Sequence, residues 1–329
     1  MIILSFLSSC IALCVPCTIF RCYFKYKLIE SNFFDQKYLN IFASLFKNGN
    51  KHLNSNSLHI AIQGVEGSFH EEACQLLFKN EEINFFYCDT FEQVFQQTQK
   101  HDTLGFIAIE NSLAGSILSN YASIKEYNLN IIGETYMPIS HQLMVYPGVS
   151  LEDVNEIWSH PMALRQCQLF INENATIKTV EKEDTAKSAA YIKENKVKHV
   201  AAIASKTAAK IYGLNIIKPN IETFSNNFTR FLLIQKDKDF STSCNKATLC
   251  FSVKHDVGSL AGALTCLAKN EMNLTKIQSF PKIGKSWEYF FYADILFKNE
   301  EDFQLAFKNL KLTVNELYCL GKYKNNLVF

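Results

Sequence analysis

The chain of 329 residues lacks most of the signatures that assign a function outright. Its charges nearly cancel, with 33 Lys and Arg against 32 Asp and Glu, which argues against nucleic-acid binding driven by bulk electrostatics. No metal-ligand spacing, Walker-type phosphate loop or Gly-x-Ser-x-Gly elbow occurs. The turn after the first strand carries two glycines, Gly64 and Gly67, where a dinucleotide fingerprint needs three. The 11 cysteines form no framework spacing, and an odd count in so long a chain fits buried, reduced thiols in a cytosolic protein. Cys14-Val15-Pro16-Cys17 has redox spacing, yet it lies inside an apolar run rather than at a strand-to-helix junction. Gly 12 and Pro 6 are few beside Phe 27 and Tyr 14, a bias that genome composition explains as readily as function. What remains is a globular composition, 48% hydrophobic and 20% charged, long enough for more than one domain.

Met1 to Phe20 is almost wholly apolar, and Arg21, Lys25 and Lys27 follow it. That is near the length of a bilayer span, about 20 residues. No basic residue precedes the run and no small-residue cleavage site follows, so it makes a poor secretory signal. Membrane contact is expected only if residues 1–20 are a real anchor, and the basic flank would then keep the remainder cytoplasmic. The alternative is an irregular extension over residues 1–57, ending in the polar stretch Asn48 to Ser57. Ordered structure is expected from Leu58.

Residues 58–235 alternate strands with helices. Leu58–Ile62 reads as a buried strand, and Gln63–Gly67 as the turn leaving it. Ser68 with Glu71 then forms a capping box that opens a helix through Leu77. Such a helix start favours anions, or it is a plain strand–turn–helix. Strand Ile83–Cys88 and a helix capped by Thr90 follow. The run Leu104–Ile109 has the continuous apolar character of a strand covered on both faces. It ends in Glu110-Asn111-Ser112, polar groups placed where open α/β sheets bind ligands, or else where they cap a helix starting near Ser116. Further strands are expected at Asn130–Tyr136, His141–Tyr146 and His199–Ile203. Helices are expected over Pro161–Ile171, from Asp184-Thr185 to Lys193, and from Ser205 to a glycine stop at Gly213. Ser159 or His160 can cap the first of these.

Asn226-Asn227-Phe228-Thr229-Arg230-Phe231 runs a polar turn into an apolar strand and closes the second lobe. It sets a hydroxyl and a guanidinium at a strand end. The pattern predicts two α/β lobes with a ligand cleft between them, the Glu110 stretch contributed by one half and the Thr229 stretch by the other. Residues 236–246 read as a linker. From 247 to 329 the order β-α-β-β-α-β is that of a ferredoxin-like domain.

Several stretches together resemble the prephenate dehydratases with a carboxy-terminal ACT regulatory domain. They are Gln63–His70, Glu110–Gly115, Ser159–Pro161 with Ala163-Leu164 and Gln166-Cys167, Asp184-Thr185, Ala202–Ser205 with Tyr212–Leu214, and Thr229-Arg230-Phe231. In the last domain Asn273–Ile277 and Trp287–Tyr292 add to the match. The resemblance covers about residues 58–323 in the family's order. It leaves out the amino-terminal extension, which is too short and lacks the helical repeats for a fused chorismate mutase. It implies a type II periplasmic-binding-protein-like catalytic domain and the conversion of prephenate to phenylpyruvate with loss of carbon dioxide and water. No metal or cofactor is required.

By the same resemblance Thr229 meets the departing hydroxyl, and Arg230 neutralises a substrate carboxylate. Glu110 and Asn111 complete the catalytic set. Gly64, Ser68, Ser112, Ser159 and Phe231 are the candidate substrate-binding residues, Phe231 also being read as the packing residue that holds its two neighbours. Gly258, Ser259, Leu260, Gln278 and Ser279 fall where the family binds its phenylalanine effector between paired ACT domains, which implies a homodimer or homotetramer. Two departures stand out. Met162 replaces a glutamine that many relatives have, and Phe280 replaces an arginine of the effector region. Arogenate, which carries an amino group where prephenate has a keto group, is an alternative substrate. A membrane-tethered solute-binding protein and a catalytically dead amino-acid sensor are the alternatives of other classes.

Overall fold

The computed structural model describes residues 57–79, 81–100, 102–237 and 244–326. The expectations for the amino-terminal run, for Cys14 and Cys17 and for residues 238–243 of the linker lie outside the described residues. Among those described, no helix is long and apolar enough to cross a membrane.

Each lobe is built on the same strand–helix–strand–helix–strand unit. In the first lobe, strand β1 (Leu58–Gln63) leads through helix α1 (Phe69–Leu77) to β2 (Ile83–Cys88). Helix α2 (Phe91–Thr98) then leads to β3 (Thr103–Asn111), and β1 pairs in parallel with both β2 and β3. Two-residue β4 (Gly115–Ser116) turns back on β3, and helix α3 (Leu118–Glu126) precedes β5 (Asn130–Pro138). The second lobe repeats the scheme with β6 (Gln142–Val145), β7 (Glu156–Ser159), α4 (Pro161–Gln166), α5 (Gln168–Glu173) and β8 (Lys178–Glu181). It continues with α6 (Thr185–Glu194), β9 (Val200–Ala204), α7 (Lys206–Tyr212) and β10 (Asn215–Lys218), and here β7 pairs in parallel with β8 and β9. The central strands carry continuous apolar runs, Leu104–Ile109 in β3 and Val200–Ala204 in β9, as burial on both faces requires.

The chain crosses between the lobes twice, and the second crossing corrects an expectation. Strand β11 (Phe228–Gln235) does not close the second lobe. It returns to the first and lies antiparallel between β3 and β5. Thr229 therefore faces Asn111 as a cross-strand neighbour in one sheet, and the two stretches expected from opposite halves belong to the same one. The crossings run side by side: Ile139 N donates to Asn227 O at 2.7 Å and Ile221 N to His141 O at 3.0 Å.

The expected helix Pro161–Ile171 is broken at Cys167. Residues of the returning crossing intrude there. Thr223 N donates to Gln166 O at 2.8 Å, and Thr223 Oγ1 accepts from Leu169 N at 3.1 Å. Insertion into the helical hydrogen-bond ladder is a recognised cause of such breaks.

The carboxy-terminal part has strands β12 (Lys246–Ser252), β13 (Asn273–Pro281), β14 (Tyr289–Leu296) and β15 (Glu316–Tyr323) with helices α8 (Ser259–Lys269) and α9 (Glu300–Lys311). The sheet order is β13-β14-β12-β15, the ferredoxin-like arrangement. One face packs Leu249, Phe251 and Ile295 under Leu267, Phe303 and Leu310 of the helices. The other puts Cys250, Tyr292 and Leu320 against Tyr121 and Ile124 of α3. Lys246, read as linker, is the first residue of β12 and is buried. The two sheets join where β15 meets β5 at Gly321 and Ile131. A Cβ on Gly321 would lie 2.1 Å from Ile131 O, so only glycine permits the approach.

Candidate active site

In both lobes helices start after the carboxyl ends of the strands. Ser68 caps α1, His160 caps α4 and Ser205 caps α7. The turn after β1 is pinned to the second lobe. Ser205 Oγ donates to Gly67 O at 2.6 Å and Tyr212 OH to Glu66 O at 2.7 Å. Gly67, at φ +83°, leaves no room for a Cβ, which would sit 2.8 Å from Ala208 Cα. Lys187 and Asp89 add an ion pair between the lobes at 2.7 Å.

Where the two lobes meet stands a cluster of amides around Thr229. Asn111 Nδ2 donates to Thr229 Oγ1 at 3.0 Å and to Asn227 Oδ1 at 2.7 Å. Asn111 Oδ1 accepts from Leu113 N and Ala114 N, which fixes which end of the amide faces Thr229. Gln166 reaches in from α4, donating to Asn111 Oδ1 at 3.3 Å and accepting from Asn227 Nδ2 at 2.9 Å. His141 Nε2 lies 2.8 Å from Gln166 Oε1, and because that oxygen is an acceptor the histidine carries its proton on Nε2. Burial lowers the His141 pKa, so the ring is held neutral. Phe69 packs edge-on against it with ring centres 5.4 Å apart. Ser112 stitches the loop after β3 to the returning crossing, accepting from Phe228 N at 2.9 Å and donating to Asn226 O at 3.0 Å.

Alternation along a strand sends the neighbours of this pair to the opposite face. Arg230 is 3% exposed and fully engaged. Its Nε donates to Glu134 at 2.8 Å, its Nη2 to Tyr323 OH at 2.9 Å, and its Nη1 pairs with Asp294. The role expected of it, clamping a substrate carboxylate, is corrected on this geometry, because no guanidinium edge faces the cleft. Glu110 shares the Arg230 face and pairs with Lys276 at 2.7 Å.

Three further candidates are also committed elsewhere. Ser159 is fully buried and donates to Ile203 O at 2.6 Å. Ser68 is buried as the cap of α1, accepting from Glu71 N. Phe231 is buried, stacked on Phe106 and edge-on to His70 with centres 5.2 Å apart in both pairs, so packing is its role rather than substrate contact. Gly64 holds φ +109° in the turn beside Ser68. What faces the cleft is Asn111, Ser112 and Thr229, with Gln166, half-buried, and Met162, 37% exposed one turn before it on α4.

Sequence reasoning gave Gln166, Asn227 and His141 no role. Gln166 was visible only as part of a matching stretch, whereas Asn227 was flagged by its place beside Thr229. In the carboxy-terminal domain, Gly258 takes φ +83° at the start of α8, followed by half-buried Ser259 and Leu260. Gln278 and Ser279 lie on the edge strand β13.

Comparison with known proteins bears on these observations. A family model described as prephenate dehydratase matches residues 60–239. The bifunctional chorismate mutase/prephenate dehydratase of Aquifex aeolicus (strain VF5) is 34% identical over 274 residues, covering 82% of this chain and 75% of that protein. The chloroplastic arogenate dehydratase/prephenate dehydratase 2 of Arabidopsis thaliana is 33% identical over 283 residues, covering 82% and 74%. Among solved structures, a prephenate dehydratase from Arthrobacter aurescens in complex with L-Phe superposes with a TM-score of 0.74 at 25% identity, covering 82% of this chain and 90% of that one. A protein described as GqqA, a novel type of quorum quenching acylase, superposes with a TM-score of 0.73 at 30% identity, covering 81% and 97%.

Proposed function

This chain belongs to the prephenate dehydratase family, and from that premise we propose that it converts prephenate to phenylpyruvate, with Thr229 as the group that meets the leaving hydroxyl. In the reaction the bond from the ring to its carboxylate breaks and carbon dioxide leaves. The freed electron pair makes the ring aromatic and expels the 4-hydroxyl, which takes up one proton to become water. The single observation that carries the reading is the direction of the Asn111–Thr229 hydrogen bond. Asn111 donates to Thr229 Oγ1, so the threonine's own proton stays available to the cleft. A donor that is itself accepting a hydrogen bond is polarised toward giving one. A threonine is a weak acid by its ordinary pKa, so its contribution is a hydrogen bond that strengthens as charge grows on the leaving oxygen, the net proton coming from solvent.

The positive charge of Arg230 is already neutralised by Glu134 and Asp294, and this favours the chemistry. A guanidinium holding the ring carboxylate would stabilise the ground state and oppose decarboxylation. Ser112 and Met162 line the rim. The carboxy-terminal domain, residues 247–329, is read as an ACT domain that binds phenylalanine near Gly258, Ser259, Leu260, Gln278 and Ser279 and mediates a homo-oligomer in the cytoplasm. The L-Phe complex of the Arthrobacter protein supports that reading.

Turnover of prephenate and arogenate in parallel tests the proposal, following phenylpyruvate by absorbance and phenylalanine by chromatography. Folded protein that forms phenylpyruvate from prephenate, with turnover lost in Thr229→Val, is the expected result. No product from either substrate overturns it. A tenfold or greater preference for arogenate in kcat/KM would reassign the substrate alone, as the name of the Arabidopsis relative allows.

A further inference from the structure

Behind β3 and β11 lies an ionic lattice, buried except at Glu110, whose side chain is 35% exposed. The first lobe contributes Arg230, Glu110 and Glu134; the carboxy-terminal domain contributes Lys246, Lys276 and Asp294. Glu134 takes Arg230 Nε at 2.8 Å and Lys246 Nζ at 2.9 Å, while Asp294 takes Arg230 Nη1. Lys276 takes Glu110 at 2.7 Å and also donates to Ser116 Oγ at 2.7 Å. Thr248 and Tyr323 complete the shell of Asp294 and Arg230, bonding each other at 2.7 Å. Neither side is neutral by itself. The first lobe brings one cation and two anions, the carboxy-terminal domain two cations and one anion, and together they cancel.

The ties land on particular residues. Asp294 holds Arg230, the chain neighbour of Thr229, and Lys276 holds Glu110, the chain neighbour of Asn111. At the same point the register between β3 and β11 slips, Arg230 facing Glu110 but Phe231 facing Ala108, so Ile109 is the extra residue of a bulge. A bulge re-aims the side chains next to it and makes their direction depend on what grips the strand. Leu113 N and Ala114 N fix which end of the Asn111 amide faces Thr229, but beside a bulge the ladder alone leaves the tilt of both strands open to what holds them from behind.

We propose that Asp294 and Lys276 are positioning residues for the reaction, holding from the carboxy-terminal domain the backs of the two strands whose fronts present Thr229 and Asn111. The inference rests on Thr229 being the donor to the leaving group. A buried ion pair is poor value as a stabiliser, since apolar residues of similar size usually do as well. It is well suited to fixing direction, and a misplacement of about 1 Å at a reacting group costs on the order of a hundredfold in rate.

The test uses the full chain, with kcat and KM measured for prephenate in Asp294→Asn, Lys276→Met, Lys276→Arg and the double variant Arg230→Met/Asp294→Leu, beside Thr229→Val. Asp294→Asn and Lys276→Met are expected to lower kcat about tenfold or more with KM within about threefold, and Lys276→Arg to keep kcat within about threefold. Should Asp294→Asn fail to fold because Arg230 is left unpaired, the apolar double variant removes both charges and is expected to melt near wild type yet turn over slowly. Recovery of kcat along with stability in that double variant overturns the inference, as does wild-type kcat in Lys276→Met. If Thr229→Val itself turns over at the wild-type rate, the reading of the site falls and this inference with it. Loss of activity in Thr229→Val beside full activity in Asp294→Asn and Lys276→Met sinks this inference alone.

Discussion

Thr229 and Arg230 are adjacent in sequence and opposite in task, because side chains alternate across a strand. Once Phe228–Gln235 is a strand with Thr229 toward the cleft, Arg230 must face away from it. The hydroxyl was legible as a candidate because it sits at a strand end among polar residues. The fate of the guanidinium was not, because its partners Glu134, Asp294 and Tyr323 are far away in sequence and lone charges in strands carry no motif. One signal was available: Asp294 is a single carboxylate inside the otherwise apolar Tyr289–Leu296, and a buried charge requires a partner. For Thr229→Val, a near-isosteric loss of the hydroxyl, kcat is expected to fall about a hundredfold or more with little change in melting temperature, as steady-state kinetics and thermal unfolding will register. A second residue sets a pH dependence. His70 is buried, accepts from Ala108 N at 3.1 Å, and has its pKa lowered by burial from 6.5 to about 4. Between those values the unfolded chain binds the proton and the native one does not, so stability is complete above pH 6.5 and declines as pH falls toward 4. From about pH 7.5 to about pH 5 His70 is expected to cost about 2 kcal/mol, read by denaturant unfolding at each pH. His70→Gln, which retains an acceptor, should flatten that slope; an unchanged slope would mean the protonation lies elsewhere.

Elements were more legible than their partners. The apolar runs of β1, β3 and β9 and the caps Ser68, Thr90, Asp184 and Ser205 stand where the sequence pattern puts them. The break in the helix at Cys167 was hidden, since Thr223 acts from more than fifty residues away and local periodicity says nothing about it. That break has a use: it ends α4 at Gln166, whose amide then reaches Asn111 and Asn227 across the cleft. The placement of β11 was missed for a related reason, that consecutive elements are usually neighbours and here the chain returns to the lobe it left. The length of the connection could have warned of it, because residues 219–227 separate β10 from β11, more than a tight hairpin needs. The junction of β15 with β5 offers a direct test. In Gly321→Ala the added Cβ overlaps Ile131 O, and the overpacking is expected to cost about 1–3 kcal/mol. Thermal unfolding will show the loss; a wild-type melting curve would show that the junction relaxes without penalty.

At the scale of the whole molecule, strands β3 and β11 are shared between two neighbours. Their fronts belong to the cleft between the lobes, and their backs to the carboxy-terminal domain through Arg230, Glu110 and Glu134. Residues 58–235 and 247–329 were separable in sequence as two composition and topology blocks, but the contacts that join them were not, because each is made by one charge per strand. The net charge of +1 concealed a complementary division, two anions and a cation against two cations and an anion. This arrangement decides how an effector in the carboxy-terminal domain can act. Coupling between two sites is reciprocal and requires an element that both bias. If phenylalanine binds that domain and shifts the hold of Asp294 and Lys276 on their strands, it changes kcat by displacing Thr229 and Asn111, with no need to compete at the cleft. Wild-type protein is then expected to show a raised melting temperature and a lowered kcat on adding phenylalanine. In Arg230→Met/Asp294→Leu the melting shift should persist, since the effector residues are untouched, while the residual kcat becomes indifferent to phenylalanine. Calorimetry closes the cycle: saturating substrate should alter phenylalanine affinity in wild type and leave it unaltered in the double variant. Inhibition that survives intact in the double variant would route the signal around the lattice.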